Sequence, residues 1–169
     1  EYMYLADTYG SMYPDDIESM FNNAKNIAGV KLGFHPHNNL QMAFAGSIAA
    51  IKAGVEIIDS SIFGMGRGAG NLPTEIIVSY FQQSGIGKYN VVPILNIIDK
   101  YYSDLHKEFD WGYCLPYMIS GMKSCHPDYA THLVSRKEYD IEEIWNLIGL
   151  IKELSPIGFD KQMMENILK

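Results

Sequence analysis

The pattern that most limits the fold is an alternation of short apolar runs with amphipathic ones. "YMYLADT" passes through "YGSMYP" into a helical pattern from about Pro14. "GVKLGFH" feeds a second helical pattern that stops at Gly54, and "VEIIDSSIF" feeds a third. That third helix follows the loop "GMGRGAGNLP" and runs from about Pro73 through Tyr80 to Gly85. Each strand–helix unit takes about thirty residues, the length needed to join parallel strands by a helical crossover. Three parallel strands cannot close on themselves and would make a very small sheet.

After Gly85 the alternation stops. "VVPILNIIDKYYSDLHKEF", "YCLPYMISGMKS", "HPDYATHLVS", "DIEEIWNLIGLIKELS" and "FDKQMMENILK" all read as helices or loops. The expected fold is therefore α/β: the C-terminal part of a (β/α)8 TIM barrel, then a helical region. About three βα units fill residues 1–85, and the helical region fills 86–169. The sequence starts at Glu1 directly in strand-like residues, which reads as a piece of a longer protein.

Local chemistry supports these assignments. Pro14 followed by Asp15 and Asp16 is a good helix start, placing negative charge on the positive end of the dipole. Ile17, Met20, Phe21, Ala24 and Ile27 then fall at helical spacing, with Gly29 as the stop. In the second helix Leu40, Ala43, Phe44, Ser47, Ile48 and Ile51 form one stripe. In "YDIEEIW" the stripe is Ile141, Ile144, Trp145 and Ile148, leaving the acids on a solvated face.

Composition narrows the function classes. Of 169 residues, 47% are apolar, enough for a sizeable core, and the net charge is -7. An acidic chain whose nearest basic run is "SRKE" is a poor fit to nucleic acid, which needs clustered Lys and Arg. No apolar run approaches a membrane span. Cys114 and Cys125 form no CxxC and fit reduced thiols, and the stretch carries no signal-peptide pattern, so a cytoplasmic protein is expected. Cys125 with His126 lacks the further ligands that a zinc site needs. His106 and His132 have no recognisable partners in the sequence.

At the ends of the three strands the residues turn polar: Asp7-Thr8-Tyr9-Gly10, His35-Pro36-His37-Asn38-Asn39, and Asp59-Ser60-Ser61. In a barrel, chemistry sits at this C-terminal side. His35 and His37 are two apart, so in a strand they project from the same face. The residues alone leave two readings: ligands of one ion, or a hydrogen-bonded core histidine beside a solvated one. The loop "GMGRGAGN" lacks the GK[ST] of a phosphate-binding P-loop and the setting of a dinucleotide fingerprint. Its glycines allow backbone N–H groups to approach an anion or a neighbouring loop, or make a tight connection at the rim.

"ADTYGSMYPDDI", "GFHPHNNLQMAFAGSIAAIKAGVEIIDSSIFGMGRGAGNLPTE" and, more weakly, "WGYCLPYMISG" together resemble the metal-dependent aldolase and acyltransferase superfamily of hydroxymethylglutaryl-CoA-lyase-like barrels. The resemblance covers roughly residues 4–80. Within it, H-x-H-N-x-L followed by G-x-G-x-x-A-G-N is the specific combination, and it points to the branch of 4-hydroxy-2-oxovalerate aldolases. The resemblance implies that His35 and His37 bind a divalent metal, Mn2+ or Mg2+, with Zn2+ or Co2+ as alternatives. The family's third ligand, an aspartate beside an arginine on the first barrel strand, has no match in this sequence. Thr8 matches a substrate-carboxylate contact and Asn71 a residue near the metal. Tyr117 matches the tail tyrosine brought over the site, with Tyr113 as the fallback. No further histidine stands at a strand end, so the acid/base group is expected from outside this stretch.

The implied function is a lyase that cleaves or forms a C–C bond in a 4-hydroxy-2-oxo acid, through a pyruvate-type enolate that the ion stabilises. A Schiff-base route needs a lysine at a strand end, whereas Lys31 stands at the start of its strand. "NN" after His37, where acyltransferases have "ND", and the cysteine-free glycine loop both favour the aldolase branch. The alternatives are a Claisen-type acyl-CoA acyltransferase, like isopropylmalate or citramalate synthase, and a non-catalytic binding module that keeps the fold. The expected partners are a small-molecule 2-oxo acid and, through the helical region, a second copy or a partner enzyme.

Overall fold

The computed structural model describes residues 1–26, 30–154 and 157–168. Strands β1 (Tyr2–Asp7), β2 (Lys31–Pro36) and β3 (Ile57–Ile58) form a parallel sheet in the order β1-β2-β3. Tyr2 pairs with Lys31 and Asp7 with Pro36, so β1 and β2 run in step along their length. Crossover helices α1 (Pro14–Ala24) and α2 (Ala43–Lys52) connect the strands, and α3 (Thr74–Gln83) follows β3. The chain is thus a mixed α/β structure with a parallel sheet, as expected.

Helix α1 starts where its charges favour it. Pro14 opens the first turn, and the Tyr13 N–H donates to the Asp16 carboxylate at 2.9 Å. Its inner face, Ile17 and Phe21, packs on Leu32 and Phe34, with the two phenyl rings edge to face at 5.5 Å. Burying each such ring contributes roughly 1.5–3 kcal/mol. The expected stripe member Ile27 and stop Gly29 lie outside the described residues, as do Ser155 and Lys169 of the tail segments.

Two expectations need correction here. In α2 the residues lying flush with the core are Ala43, Gly46, Ser47, Ala49 and Ala50; Phe44 and Ile51 reach sideways to Leu72, Ile77 and Tyr80. Small residues win the central face because a helix wedged between sheet and neighbours must approach closely. The third strand is also far shorter than "VEIIDSSIF": only Ile57 and Ile58 make a ladder. It has one partner strand, β2, among the described residues, so only the inner hydrogen bonds hold it, including Asp59 N–H to the Phe34 carbonyl at 2.9 Å.

The rest is helical. Helices α4 (Val92–Ile97) and α5 (Ser103–Phe109) are joined through a π-helical turn at Ile98–Tyr102. Then come α6 (Leu115–Met122), α7 (Pro127–Arg136), α8 (Ile141–Glu153) and α9 (Lys161–Ile167). Tyr129, Leu133, Ile148, Ile151 and Met164 form their core. Of the expected α8 stripe Ile144 and Ile148 are buried, and Ile151 completes it in place of Ile141 and Trp145. Ile141 and Trp145 are exposed, and Lys123 lies 3.9 Å over the Trp145 ring as a cation–π contact. No helix among the described residues is long and apolar enough to cross a membrane.

Candidate metal and substrate site

One face of the sheet packs on helices through Met3, Leu5, Leu32 and Phe34. By the two-residue period of a strand, Tyr2, Tyr4, Gly33 and His35 belong to the other face. His35 thus leaves the strand away from α1 and α2. His37, two residues on, is its neighbour, with ring centroids 5.0 Å apart and rings nearly perpendicular. The pair that the sequence places on one face does converge.

Each ring has a distinct environment. His35 Nδ1 lies 3.0 Å from Asp59 Oδ2. Register explains it: Gly33 pairs with Ile57 and Phe34 with Ile58, so the next step sets His35 beside Asp59. With Nδ1 donating to the carboxylate, Nε2 keeps its lone pair. Asp59, expected only as one of the polar strand-end residues, gains this partner through the β2–β3 register. His37 is more buried, and burial, with the neighbouring charges of His35 and Arg67, lowers its pKa to about 4. It is a neutral imidazole at physiological pH.

The glycine loop closes one side. His37 and Asn71 form an antiparallel bridge, flanked by Asn38 N–H to the Gly70 carbonyl at 3.0 Å. Gly70 has φ +80, and a Cβ there would fall on the Gly64 carbonyl oxygen, so only glycine fits the turn. Asn71 is held with Oδ1 buried and without a hydrogen-bond partner among the described residues.

Behind this loop stands the helical region. Trp111 Nε1 donates to the Phe63 carbonyl at 2.9 Å, and Gly112 N–H to the Gly68 carbonyl at 3.3 Å. His106 is not the unpartnered histidine expected: its Nε2 is 2.7 Å from the Trp111 carbonyl and its ring packs on Trp111 and Phe63. His132 likewise has partners, Arg136 at 3.2 Å and Glu165 at 3.5 Å. A pocket of about 150 Å³ lies between loop and tail, lined by Asn38, Phe63, Asn71, His106, Trp111 and Tyr113 among others. Tyr113 is exposed at its rim.

Tyr117 leans on the loop: a Cβ on Gly68 would touch its ring at 3.5 Å. Its hydroxyl accepts a hydrogen bond from Thr131 at 3.4 Å. Asn39, fully buried, donates to the Tyr117 carbonyl and to Ser120 Oγ, both at 3.1 Å, and so docks α6 onto the end of β2. At the end of β1, Thr8 is exposed and lines a hollow with Asp7, Tyr9 and Ser11. Asp7 turns inward and its two oxygens accept the Ser11 and Met12 N–H groups, each at 3.1 Å. Burial raises its pKa, against the lowering effect of those backbone hydrogen bonds.

A family model described as HMGL-like matches residues 1–99. The chain belongs to the HMGL-like family. Its curated relatives include two proteins named 4-hydroxy-2-oxovalerate aldolase. The one from Thermomicrobium roseum is 39% identical over 84 residues, which are 50% of this chain and 24% of that protein. The one from Geobacillus genomosp. 3 is 42% identical over 84 residues, 50% of this chain and 25% of that protein. The HMGL-like chain thus spans about a quarter of the length of these relatives. Among solved structures, the N-terminal domain of a candidate aldolase from Bacteroides vulgatus superposes with a TM-score of 0.77 at 31% identity, over 86% of this chain and 47% of that one. The carboxyl transferase domain of Rhizobium etli pyruvate carboxylase shares the fold alone, with a TM-score of 0.65 at 16% identity over 86% of this chain and 25% of that one.

The donor set of this HMGL-like chain suits a divalent ion in part. Two imidazoles, one oriented through Nδ1 by a carboxylate, are a usual form of histidine ligands. The unpartnered Asn71 Oδ1 is a further hard oxygen beside His37. No group of three or more His, Cys, Asp or Glu side chains converges among the described residues, so a full ligand set needs another donor. Cys125 is not a candidate: it is buried, and burial pushes its thiol up to about 11.

Proposed function

We propose that the full-length protein is a divalent-metal-dependent aldolase that cleaves or forms a C–C bond in a 4-hydroxy-2-oxo acid. The observation that carries this reading is the His35–His37 pair, with His35 held by Asp59 at the sheet end. In this reading residues 1–85 are the C-terminal βα units of a (β/α)8 barrel and 86–169 its helical region. The sheet face bearing Tyr2, Tyr4 and His35, opposite the one that packs on α1 and α2, supports that, since a barrel interior would lie on that side.

His35 and His37 would hold the ion, Mn2+ or Mg2+ by preference, with Asn71 beside them. When bound, the ion supplies Lewis acidity that stabilises negative charge on the keto oxygen of the oxo acid. Thr8 binds the substrate carboxylate through its hydroxyl. Tyr117 positions the C4 hydroxyl whose proton leaves as the C3–C4 bond breaks, its ring fixed against Gly68. The helical region excludes water by covering the glycine loop. It is also the proposed face for a second copy or a partner enzyme, with Ile141, Trp145 and Leu150 exposed on α8.

The test is pyruvate release from a panel of 4-hydroxy-2-oxo acids by the full-length protein. Activity should vanish in EDTA, return with Mn2+, and fall about 100-fold in kcat for Tyr117→Phe. Turnover that survives EDTA, or that borohydride traps only with substrate present, would replace the reading with a Schiff-base mechanism.

A further inference from the structure

The two arginines of this chain are used in opposite ways. Arg136 is saturated: its Nη2 meets both oxygens of Glu165 at 3.0 Å. Arg67, in the middle of the glycine loop, makes one contact, Nη1 to Asp128 Oδ2 at 3.3 Å. Its side chain is 42% exposed, and its other N–H groups meet no acceptor among the described residues. Gly66 and Gly68 on either side have no side chains to cover it.

Asp128 does not serve Arg67 alone. His126 Nδ1 lies 3.8 Å from the same carboxylate oxygen. The His126 ring is mostly buried, edge-on to Tyr9 at 6.1 Å, so α7 brings it to the end of β1. The Asp128 N–H donates to His126 Nδ1 at 3.3 Å, which places the proton of the neutral ring on Nε2. Arg67 is near enough to His126 and to His37 for its charge to disfavour protonation of both. Asp128 is thus shared between the Arg67 guanidinium and the His126 ring, and Arg67 keeps N–H donors for a further acceptor within electrostatic reach of His37. Arg67 precedes His126 and Asp128 by 59 and 61 positions, so no local pattern joins them, and the tail was expected to cover the site with a tyrosine alone.

We propose that Arg67 and His126 form an anion subsite that selects substrates whose aldehyde-derived end carries a carboxylate or phosphate. The assignment rests on the aldolase reading above for the identity of the reaction. His35 and His37 take the oxo-acid end, and Arg67, anchored to α7 through Asp128, takes the aldehyde-derived end. A planar guanidinium with free donors recognises an oxyanion in two-point fashion, and the Nε2–H of His126 adds a neutral donor.

The experiment is pyruvate addition by the full-length protein to propanal, succinic semialdehyde and glyceraldehyde 3-phosphate, as neutral, carboxylate and phosphate acceptors. Calorimetric titration of succinate and inorganic phosphate, with no aldol substrate, runs beside it. Arg67→Gln should lower kcat/KM for the preferred anionic acceptor by about 10–100-fold, the span of a charge-assisted hydrogen bond, with propanal changed less than about threefold. His126→Asn, which keeps a cap acceptor for α7, should act in the same direction but more weakly. Which anionic acceptor responds distinguishes carboxylate from phosphate. Equal loss for all three acceptors, or a wild type indifferent to charge, overturns the proposal. Arg67-dependent anion binding without any aldol turnover would sink the aldolase reading and leave the subsite standing.

Discussion

Asn39 is the hinge-pin between the strand ends and the helical region, and its removal has a calculable cost. Its amide is 1% exposed and donates to two acceptors, the Tyr117 carbonyl and Ser120 Oγ. Ser120 Oγ in turn donates to the same carbonyl at 2.8 Å. Asn39→Ala removes two hydrogen bonds of about 1 kcal/mol each and leaves a small void, for a loss of roughly 2–3 kcal/mol. Asn39→Asp should be worse despite its matching shape. A carboxylate cannot donate to the Tyr117 carbonyl, and a buried charge facing a carbonyl oxygen raises its own pKa. As its folded-state pKa is raised, the unprotonated form is the destabilising one, so Asn39→Asp should regain stability as pH falls toward 5. Urea denaturation followed by near-UV circular dichroism at pH 7 and pH 5 measures both effects. The expected order at pH 7 is wild type, then Ala, then Asp. An Asp variant as stable as Ala at pH 7, or one that gains nothing at pH 5, would refute the donor assignment.

Asp59→Ala removes the acceptor that orients His35, and should weaken Mn2+ binding about tenfold, read by chelator competition on the full-length protein. Gly70→Ala forces a side chain into a left-handed turn and onto the Gly64 carbonyl, so the thermal midpoint should drop by several degrees, with roughly 2 kcal/mol lost. His37 has a folded pKa of about 4, below its unfolded value near 6.5. Below pH 6.5 the unfolded chain takes up a proton that the folded chain refuses, so stability is lost as pH falls from 6.5 toward 4. Allowing for a ring partly open to solvent, that loss is roughly 1–2 kcal/mol in metal-free protein, and His37→Asn should flatten this part of the pH–stability curve.

The strand–helix alternation was legible because burial imposes it: β2 turns Leu32 and Phe34 to its helix side, where Phe21 and Ile17 cover them. The convergence of His35 and His37 was legible for the same reason, a fixed two-residue period. β3 was overread, because apolar β-branched residues report burial, while a ladder also needs a partner strand. The α8 stripe was misread in part because Trp145 counts as apolar in a pattern, yet its ring sits outside under Lys123. Asp59, His126 and Arg67 were out of reach of local patterns. Their relationships are set by strand register and by tail docking, which spacing along the chain does not encode.

The glycine loop has consequences for the order in which the molecule assembles. Gly64, Gly66, Gly68 and Gly70 offer no side chains to pack, so the stiffness of the loop comes from Trp111 and Gly112, whose hydrogen bonds reach back 48 and 44 residues. The Asn39 bonds to α6 span 78 and 81. Contacts this distant carry the loop-closure entropy of all the chain between them, and they form after the local helices and the β1–β2 pair. The candidate site is therefore the last region to acquire its shape, and a mutation that only loosens the helices behind it would empty the site of order while the sheet that bears its histidines stays folded.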